Sequence, residues 1–290
     1  MVVLDKVRFA YRKQAPLFTT LDFRIESGGV FGLLGKNGAG KTTMLKIAAG
    51  LLFPQEGSAR LFEAEAWRRA PASLARFAFV PEVVAVPAVT VPEFVTLYGG
   101  YFPFFNREKM LEYLDRLEVP FKGRLDRMSL GQKKKALLSF AFSSGAELVF
   151  LDEPTNGLDI PSKQVFRRMV AESVDESRAF VISTHQVRDV QNLIDPVVIL
   201  HEGEIIMNAD IATIVSRLEL RLFSDEGAAS AAGALAVQHD LGRVLALVPS
   251  GSDAPSAGEP VSSEAIDLEL LFQAALDHPV RIREILGGAR

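Results

Sequence analysis

Gly35-Lys-Asn-Gly-Ala-Gly-Lys-Thr-Thr43 is the stretch on which the reading of the whole chain turns. Its spacing is GxxxxGK[ST], and it lies between an apolar run, Val30 to Leu34, and a predicted helix that begins near Thr42 and ends at Gly50. Glycines in such a loop free backbone N–H groups to wrap phosphates, the lysine reaches the β and γ groups, and the Thr42 hydroxyl is placed to hold Mg²⁺. The following helix aims its positive end at the same anions. Strand, loop and helix in that order mark a nucleoside triphosphate site built from Asn37, Gly38, Ala39, Gly40, Lys41, Thr42 and Thr43, rather than a chance glycine-rich turn.

Outward from the loop, strand-like runs recur at Val2 to Leu4, Leu21 to Ile25, Val30 to Leu34, Phe77 to Val80, Leu148 to Leu151 and Phe180 to Ser183, several separated by helical segments. This is an α/β pattern. The last three runs are almost wholly apolar, as expected for central strands of a parallel sheet covered on both faces. From Val83 to Ser129 the texture turns helical and aromatic, which predicts an inserted helical subdomain over about 83–139. Thr90 is expected to cap its first helix, with Glu93 closing a capping box and Pro92 tolerated in the first turn. Val197 to Leu200 and Glu204 to Met207 flank His-Glu-Gly and predict a hairpin. A boundary near Ser216 divides residues 1–215 from a small C-terminal α+β appendage, 216–290. Within the appendage, Gly227 to Ala234 and Ser250 to Gly258 read as loops or mobile segments, Leu241 to Val248 as a strand, and Ile266 to Leu276 as an amphipathic helix.

Composition narrows the function classes. The 290 residues hold 32 basic and 36 acidic side chains, a net charge of −4, which argues against a general nucleic-acid binder. No cysteine is present, so thiolate metal sites, cysteine nucleophiles and disulfides are excluded and a reducing compartment is suited. No apolar run approaches the roughly 20 residues that span a bilayer. The first residues carry Asp5, Lys6 and Arg8 and lack the apolar core of a secretory signal, so a cytoplasmic location is expected.

Two further elements bear on chemistry. Leu148-Val-Phe-Leu-Asp152-Glu153 is an apolar strand ending in two acids, of which Asp152 is the Mg²⁺ candidate and Glu153 the candidate general base. Ser129 and Gln132 in Met128-Ser-Leu-Gly-Gln132 form a capping box, a common helix start. The functional alternative keeps that cap and directs the free N–H groups and the helix dipole at a phosphate.

The ordered set of P-loop, Ser-x-Gly-Gln, Asp152-Glu153, Asp159 and Ser183-Thr184-His185 resembles the ATP-binding cassette (ABC) ATPases over about residues 1–215. The resemblance implies a P-loop NTPase core, with a mixed sheet, flanking helices and N-terminal antiparallel strands. It also implies ATP and Mg²⁺ as ligands, and two cassettes sandwiching two ATP molecules, a homodimer being expected. Tyr11 would stack on adenine, Lys41, Thr42 and Thr43 would hold phosphates and metal, and His185 would act near the γ-phosphate. Ser129, Gly131 and Gln132 would serve the partner's ATP, with Asp159 at the dimer seam. Two positions depart from the family pattern: Glu82 stands where glutamine is expected as an oxygen donor to Mg²⁺, and Leu130 where glycine is usual. The run Lys133-Lys134-Lys135 is read as a solvated face.

Leu97-Tyr-Gly-Gly-Tyr-Phe-Pro-Phe-Phe105 resembles the corresponding stretch of cassettes that serve ABC-2-type exporters, its aromatics forming either a permease socket or core. The leading expectation is therefore the ATP-hydrolysing subunit of an exporter, held through a permease on the inner face of the cell membrane. A soluble ABC protein acting on ribosomes or nucleic acid, and a non-catalytic nucleotide-binding regulator, are the alternatives.

Overall fold

A computed structural model describes residues 1–26, 28–240, 242–251, 259–261 and 266–286. Its first sheet is antiparallel, in the order β2-β1-β4-β5, from β1 (Val2–Phe9), β2 (Phe18–Ile25), β4 (Glu56–Leu61) and β5 (Ala64–Glu65). The central sheet runs β10-β9-β3-β8-β7-β6. Its strands are β3 (Gly29–Leu34), β6 (Phe77–Val80), β7 (Leu148–Asp152), β8 (Ala179–Thr184), β9 (Val197–His201) and β10 (Glu204–Ala209). All its pairings are parallel except β9 with β10, the hairpin expected around His-Glu-Gly.

The period-2 alternation of side chains explains why β7 and β8 are apolar at every position before their polar ends. Leu148 and Phe150 of β7, with Ala179 and Val181 of β8, pack on the side of α1 (Lys41–Ala48) and the first sheet. Val149, Leu151, Phe180 and Ile182 pack on the opposite side with Phe166 and Met169 of α6 (Ile160–Ser173) and Phe142 of α5 (Leu130–Ser143). Both faces are covered, so neither tolerates a polar residue. Helix α1 is thus held between two sheets, which fixes the loop that feeds it.

A short α2 (Pro71–Leu74) precedes β6, and the segment to β7 is helical: α3 (Val91–Tyr98), α4 (Arg107–Arg116) and α5. Thr90 caps α3 with the expected capping box to Glu93 and with proline in the first turn. Helix α5 continues to Ser143, past the expected end of the insertion, because Phe140 and Phe142 bury against Phe94, Phe105, Phe166 and Phe180.

After β10, α7 (Ile211–Arg217) leads into a third sheet, β12-β13-β11-β14, from β11 (Leu218–Phe223), β12 (Ala236–Asp240), β13 (Arg243–Pro249) and β14 (Glu259–Pro260). The stretch from Gly227 to Ala234, expected as a loop, instead carries α8 (Glu226–Ala231). Asp225 caps it, and alanine, the strongest helix former, outweighs the loop-like glycine and serine. Most of Ser250 to Gly258 lies outside the described residues. Helix α9 (Leu268–Asp277) matches the amphipathic segment and is followed by α10 (Pro279–Leu286). Leu268, Leu271 and Ile282 join the same apolar core as Val149 and Phe166. Arg188 bonds Glu269 at 2.7 Å and Arg283 bonds Glu204 at 2.8 Å, so the chain's last helices return to the central sheet.

Candidate nucleotide site

Ligands of open α/β sheets gather at the carboxyl ends of the strands. Strands β3, β8 and β7 are neighbours, and their ends deliver the P-loop, Thr184-His185 and Asp152-Glu153 to one place. The loop turns into α1 through Gly40, at φ 108°, where a Cβ would lie 2.8 Å from the Phe18 ring. No side chain fits there, and α1 starts with its N–H groups facing the cleft.

Lys41 is buried and folds across its own loop, its ammonium donating to the Gly35 carbonyl at 2.7 Å and the Lys36 carbonyl at 3.3 Å. It also sits 3.4 Å from Glu153 Oε1. The Thr42 hydroxyl donates to Asp152 Oδ2 at 2.7 Å, while Ser183 donates to Asp152 Oδ1. Thr42 and the buried Asp152 therefore present two hard oxygens side by side at the mouth of the loop, a donor set that fits Mg²⁺ completed by phosphates and water.

Glu153 is buried with a left-handed backbone, φ 46°, unusual for a residue with a side chain. Its Oε1 lies 2.9 Å from His185 Nδ1 and its Oε2 accepts from the Thr184 hydroxyl at 3.1 Å. With Lys41, three groups fix one carboxylate at the edge of the cleft.

That cleft, about 460 Å³, is lined by Tyr11, Asn37, Gly38, Gly40, Lys41, Thr42, Thr43, Glu82 and Glu153, together with the segment from Gln14 to Leu17. The Tyr11 hydroxyl is 2.9 Å from Thr43 Oγ1 and its ring meets Phe9 edge-on, so an aromatic face overhangs the loop. Ala39 is buried beneath the loop rather than lining it. Glu82 is exposed at the cleft and accepts from Asn156 at 3.5 Å; Asn156 in turn accepts from Gln186 at 3.0 Å.

Ser129, Gly131, Gln132 and Asp159 are elsewhere, none of them lining this cleft. Ser129 and Gln132 make the capping box of α5, and Gly131 lies against the Gly157 carbonyl. Asp159 caps α6, its carboxyl held well below the usual range, at about 2, by the Ser162 side chain and backbone and then by Lys135. The lysine run is not the solvated face expected of it: Lys134 and Lys135 are buried. Their helix packs its first turns over the segment after β7, where Lys134 donates to the Glu153 carbonyl at 2.8 Å and Lys135 pairs with Asp159 at 3.3 Å. Burial pushes the Lys134 ammonium below its ordinary value, with the charges of Glu82, Glu153 and Asp152 opposing that shift. Lys134, Ser183 and Asn156 are partners of the acids that the sequence does not announce; Asn156, three residues past Glu153, and Ser183, just before Thr184 and His185, are local to motifs already singled out.

A P-loop after β3, closed by an aspartate and a glutamate at the end of β7 two strands away, defines the class of P-loop nucleoside triphosphatases. A family model described as "ABC transporter" matches residues 18–156. The chain is 30% identical over 225 residues to Nod factor export ATP-binding protein I of Paraburkholderia xenovorans, covering 75% of this chain and 73% of that protein. It is 30% identical over 199 residues to ABC transporter ATP-binding protein NatA of Bacillus subtilis, covering 66% and 80%. In fold it resembles a solved ATP-binding subunit of an ABC transporter, with a TM-score of 0.65 at 22% identity over 74% of this chain and 91% of that one. The chain belongs to the ABC transporter family and is an ATP-binding, ATP-hydrolysing subunit.

Proposed function

We propose that two copies of this chain close on two ATP molecules and pass that closure to a separate membrane permease, in an exporter. Within one copy, Tyr11 stacks on adenine, the N–H groups from Asn37 to Thr43 and the Lys41 ammonium bind the phosphates, and Glu153 takes the proton of the attacking water. Its oxygen forms the new bond to the γ-phosphorus as the bond from that phosphorus to the β–γ bridging oxygen breaks, releasing ADP and phosphate. Thr42 and Asp152 would hold Mg²⁺, with Glu82, which lines the same cleft, as a further oxygen donor. When bound, the ion neutralises charge developing on the β- and γ-phosphate oxygens. His185 orients Glu153 and addresses the γ-phosphate. Ser129, Gly131 and Gln132 of the second copy complete the site, with Asp159 at the seam.

The single observation that carries the hydrolytic reading is the Glu153 carboxylate, fixed by Lys41, Thr184 and His185 at the rim of the P-loop cleft. The exporter reading is supported by the relative named for Nod factor export and by the aromatics of the helical insertion. Tyr101 and Phe104 are 70% and 76% exposed, where solvent alone gives no reason for large rings. Among the described residues no helix is long and apolar enough to cross a membrane, so attachment to the inner face of the cell membrane would come through the permease.

One experiment addresses both readings. Glu153→Gln is expected to keep ATP binding, lose turnover by about 100-fold or more, and accumulate as an ATP-bound dimer that co-purifies with an integral membrane protein. Adding Tyr101→Ala and Phe104→Ala should release that protein and leave the dimer intact. Recovery of ribosomes, or a monomer at every ATP concentration, would overturn the assignment.

A further inference from the structure

Lys134 carries a charge that the hydrolytic scheme above does not use. It is 3% exposed in the second turn of α5, and its ammonium lies 2.8 Å from the carbonyl oxygen of Glu153. Among the described residues no carboxylate makes an ion pair with it; Glu82, Glu153 and Asp152 act on it only as neighbouring charges. An ammonium removed from water without a close counter-ion is expensive, so its hydrogen bond to that carbonyl is its chief compensation.

The carbonyl belongs to a residue whose backbone is held in an unfavourable conformation. Glu153 sits at φ 46°, a conformation that persists in a non-glycine residue only where the surroundings hold it. Its N–H donates to the Ser183 carbonyl at 3.0 Å and approaches the Ser183 hydroxyl at 3.3 Å, both on β8. Its carbonyl accepts from Lys134 on α5 and, at 3.3 Å, from the Asn156 N–H. The residue is thus clamped on one side by the sheet and on the other by α5. Relaxing φ from 46°, a rotation about the N–Cα bond, would carry the carbonyl carbon and Cβ round together and swing the carboxylate off His185 and Lys41.

We propose that Lys134 is a positioning residue for ATP hydrolysis: by holding the Glu153 carbonyl it fixes the direction in which the Glu153 carboxylate meets the attacking water. The proposal rests on Glu153 being the general base. It makes α5 bifunctional, since the helix whose start addresses the partner's ATP also sets the base of its own copy.

The test compares Lys134→Met, which keeps the stem and loses the donor, with Lys134→Arg, which keeps charge and donors. Steady-state ATPase rate, KM for ATP, binding of a fluorescent ATP analogue and thermal midpoint are read on the same preparations. K134M should lose about 10- to 100-fold in kcat, as misplacement of a catalytic group does, while KM and nucleotide affinity stay within about twofold. K134R should recover most of the loss. Placed in the Glu153→Gln background, K134M should cause no further loss, because its target is already gone. If K134M precipitates, Lys134→Gln, whose polar end is one bond too short, replaces it in every comparison. A kcat within about twofold of wild type overturns the proposal. So does a parallel fall in kcat, affinity and thermal midpoint without recovery in K134R, and so does an undiminished loss in the Glu153→Gln background. Wild-type turnover by Glu153→Gln alone would instead overturn the reading of Glu153, and this proposal with it.

Discussion

The P-loop face and the α5 face of this chain both present groups suited to phosphate, yet they are built in opposite ways. Around Lys41 and Glu153 the polar groups are buried and bonded to one another, so the chain itself supplies every contact that fixes them. At the start of α5, Ser129 is exposed, Leu130 is 64% exposed, and among the described residues the side chains of Ser129 and Gln132 make only the bonds of a helix cap. A site finished within one chain can be recognised from its internal contacts. A surface that a second copy would finish, as proposed for α5, shows inside one chain only its helix-capping role, which is why the second face needs an experiment in which that role is held constant.

Ser129→Asp, paired with Lys41→Ala on the other face, is such an experiment, and the pair carries the largest expected effect. Aspartate caps a helix as well as serine does, so α5 should keep its stability. If this face addresses the partner's γ-phosphate, as proposed, the carboxylate should nonetheless lower turnover by about 100-fold, the scale of losing an anion-stabilising donor. Lys41→Ala should abolish turnover from the other face. Mixing the two variants leaves one composite site with both native faces, and activity should rise well above that of either parent. Mixtures no better than their parents would break the division of the site between two copies. Unaltered turnover in Ser129→Asp would reduce the α5 face to a cap.

What was readable beforehand follows the same division. The P-loop, the Asp152-Glu153 strand end and both capping boxes are local patterns, each decided by residues within a few positions of one another, and each stands where it was expected. The burial of Lys134 and Lys135 is tertiary: three consecutive lysines look like a solvated face until the turn after β7 is laid against them. The β4–β5 pairing was hidden because an edge hairpin with Arg60 facing out has no apolar run to announce it. Helix α8 was hidden because the glycines and serine scattered among its alanines read as a loop until Asp225 supplies a cap. The return of α9 and α10 to the central sheet rests on Leu268, Leu271 and Ile282, whose partners lie far away in sequence.

A smaller effect should separate the two faces at Glu82. Its side chain lines the P-loop cleft but remains exposed, so water screens its charge against Asp152, Glu153 and ATP. Glu82→Gln keeps an oxygen for the metal's water shell and removes the charge. Hydrolysis should then quicken by about two- to fivefold and require more Mg²⁺ for half-maximal rate, as loss of a repulsion of about 1 kcal/mol or less implies. Superimposable Mg²⁺ titrations of the two forms would show that the departure from glutamine has no electrostatic consequence.

The smallest effect belongs to Asp159, on the α5 face. Its carboxyl is held at about 2, below the ordinary 3.8, first by the Ser162 side chain and backbone and then by Lys135. A depressed carboxylate stabilises the fold above its unfolded value, and that contribution is lost as pH falls through the folded one. The relevant window is therefore acidic, from about pH 4 down to about pH 2. Asp159→Asn keeps a cap for α6 but not the charge that attracts Lys135. The thermal midpoint of the native chain should exceed that of the variant by a constant small margin above about pH 5, and the margin should close as the solution is acidified. Because the side chain is mostly exposed, the margin should also shrink with added salt. Curves that stay parallel into the acid window would mean that Asp159 acts as a cap alone, and that the Lys135 contact contributes nothing to how α5 and α6 are held together.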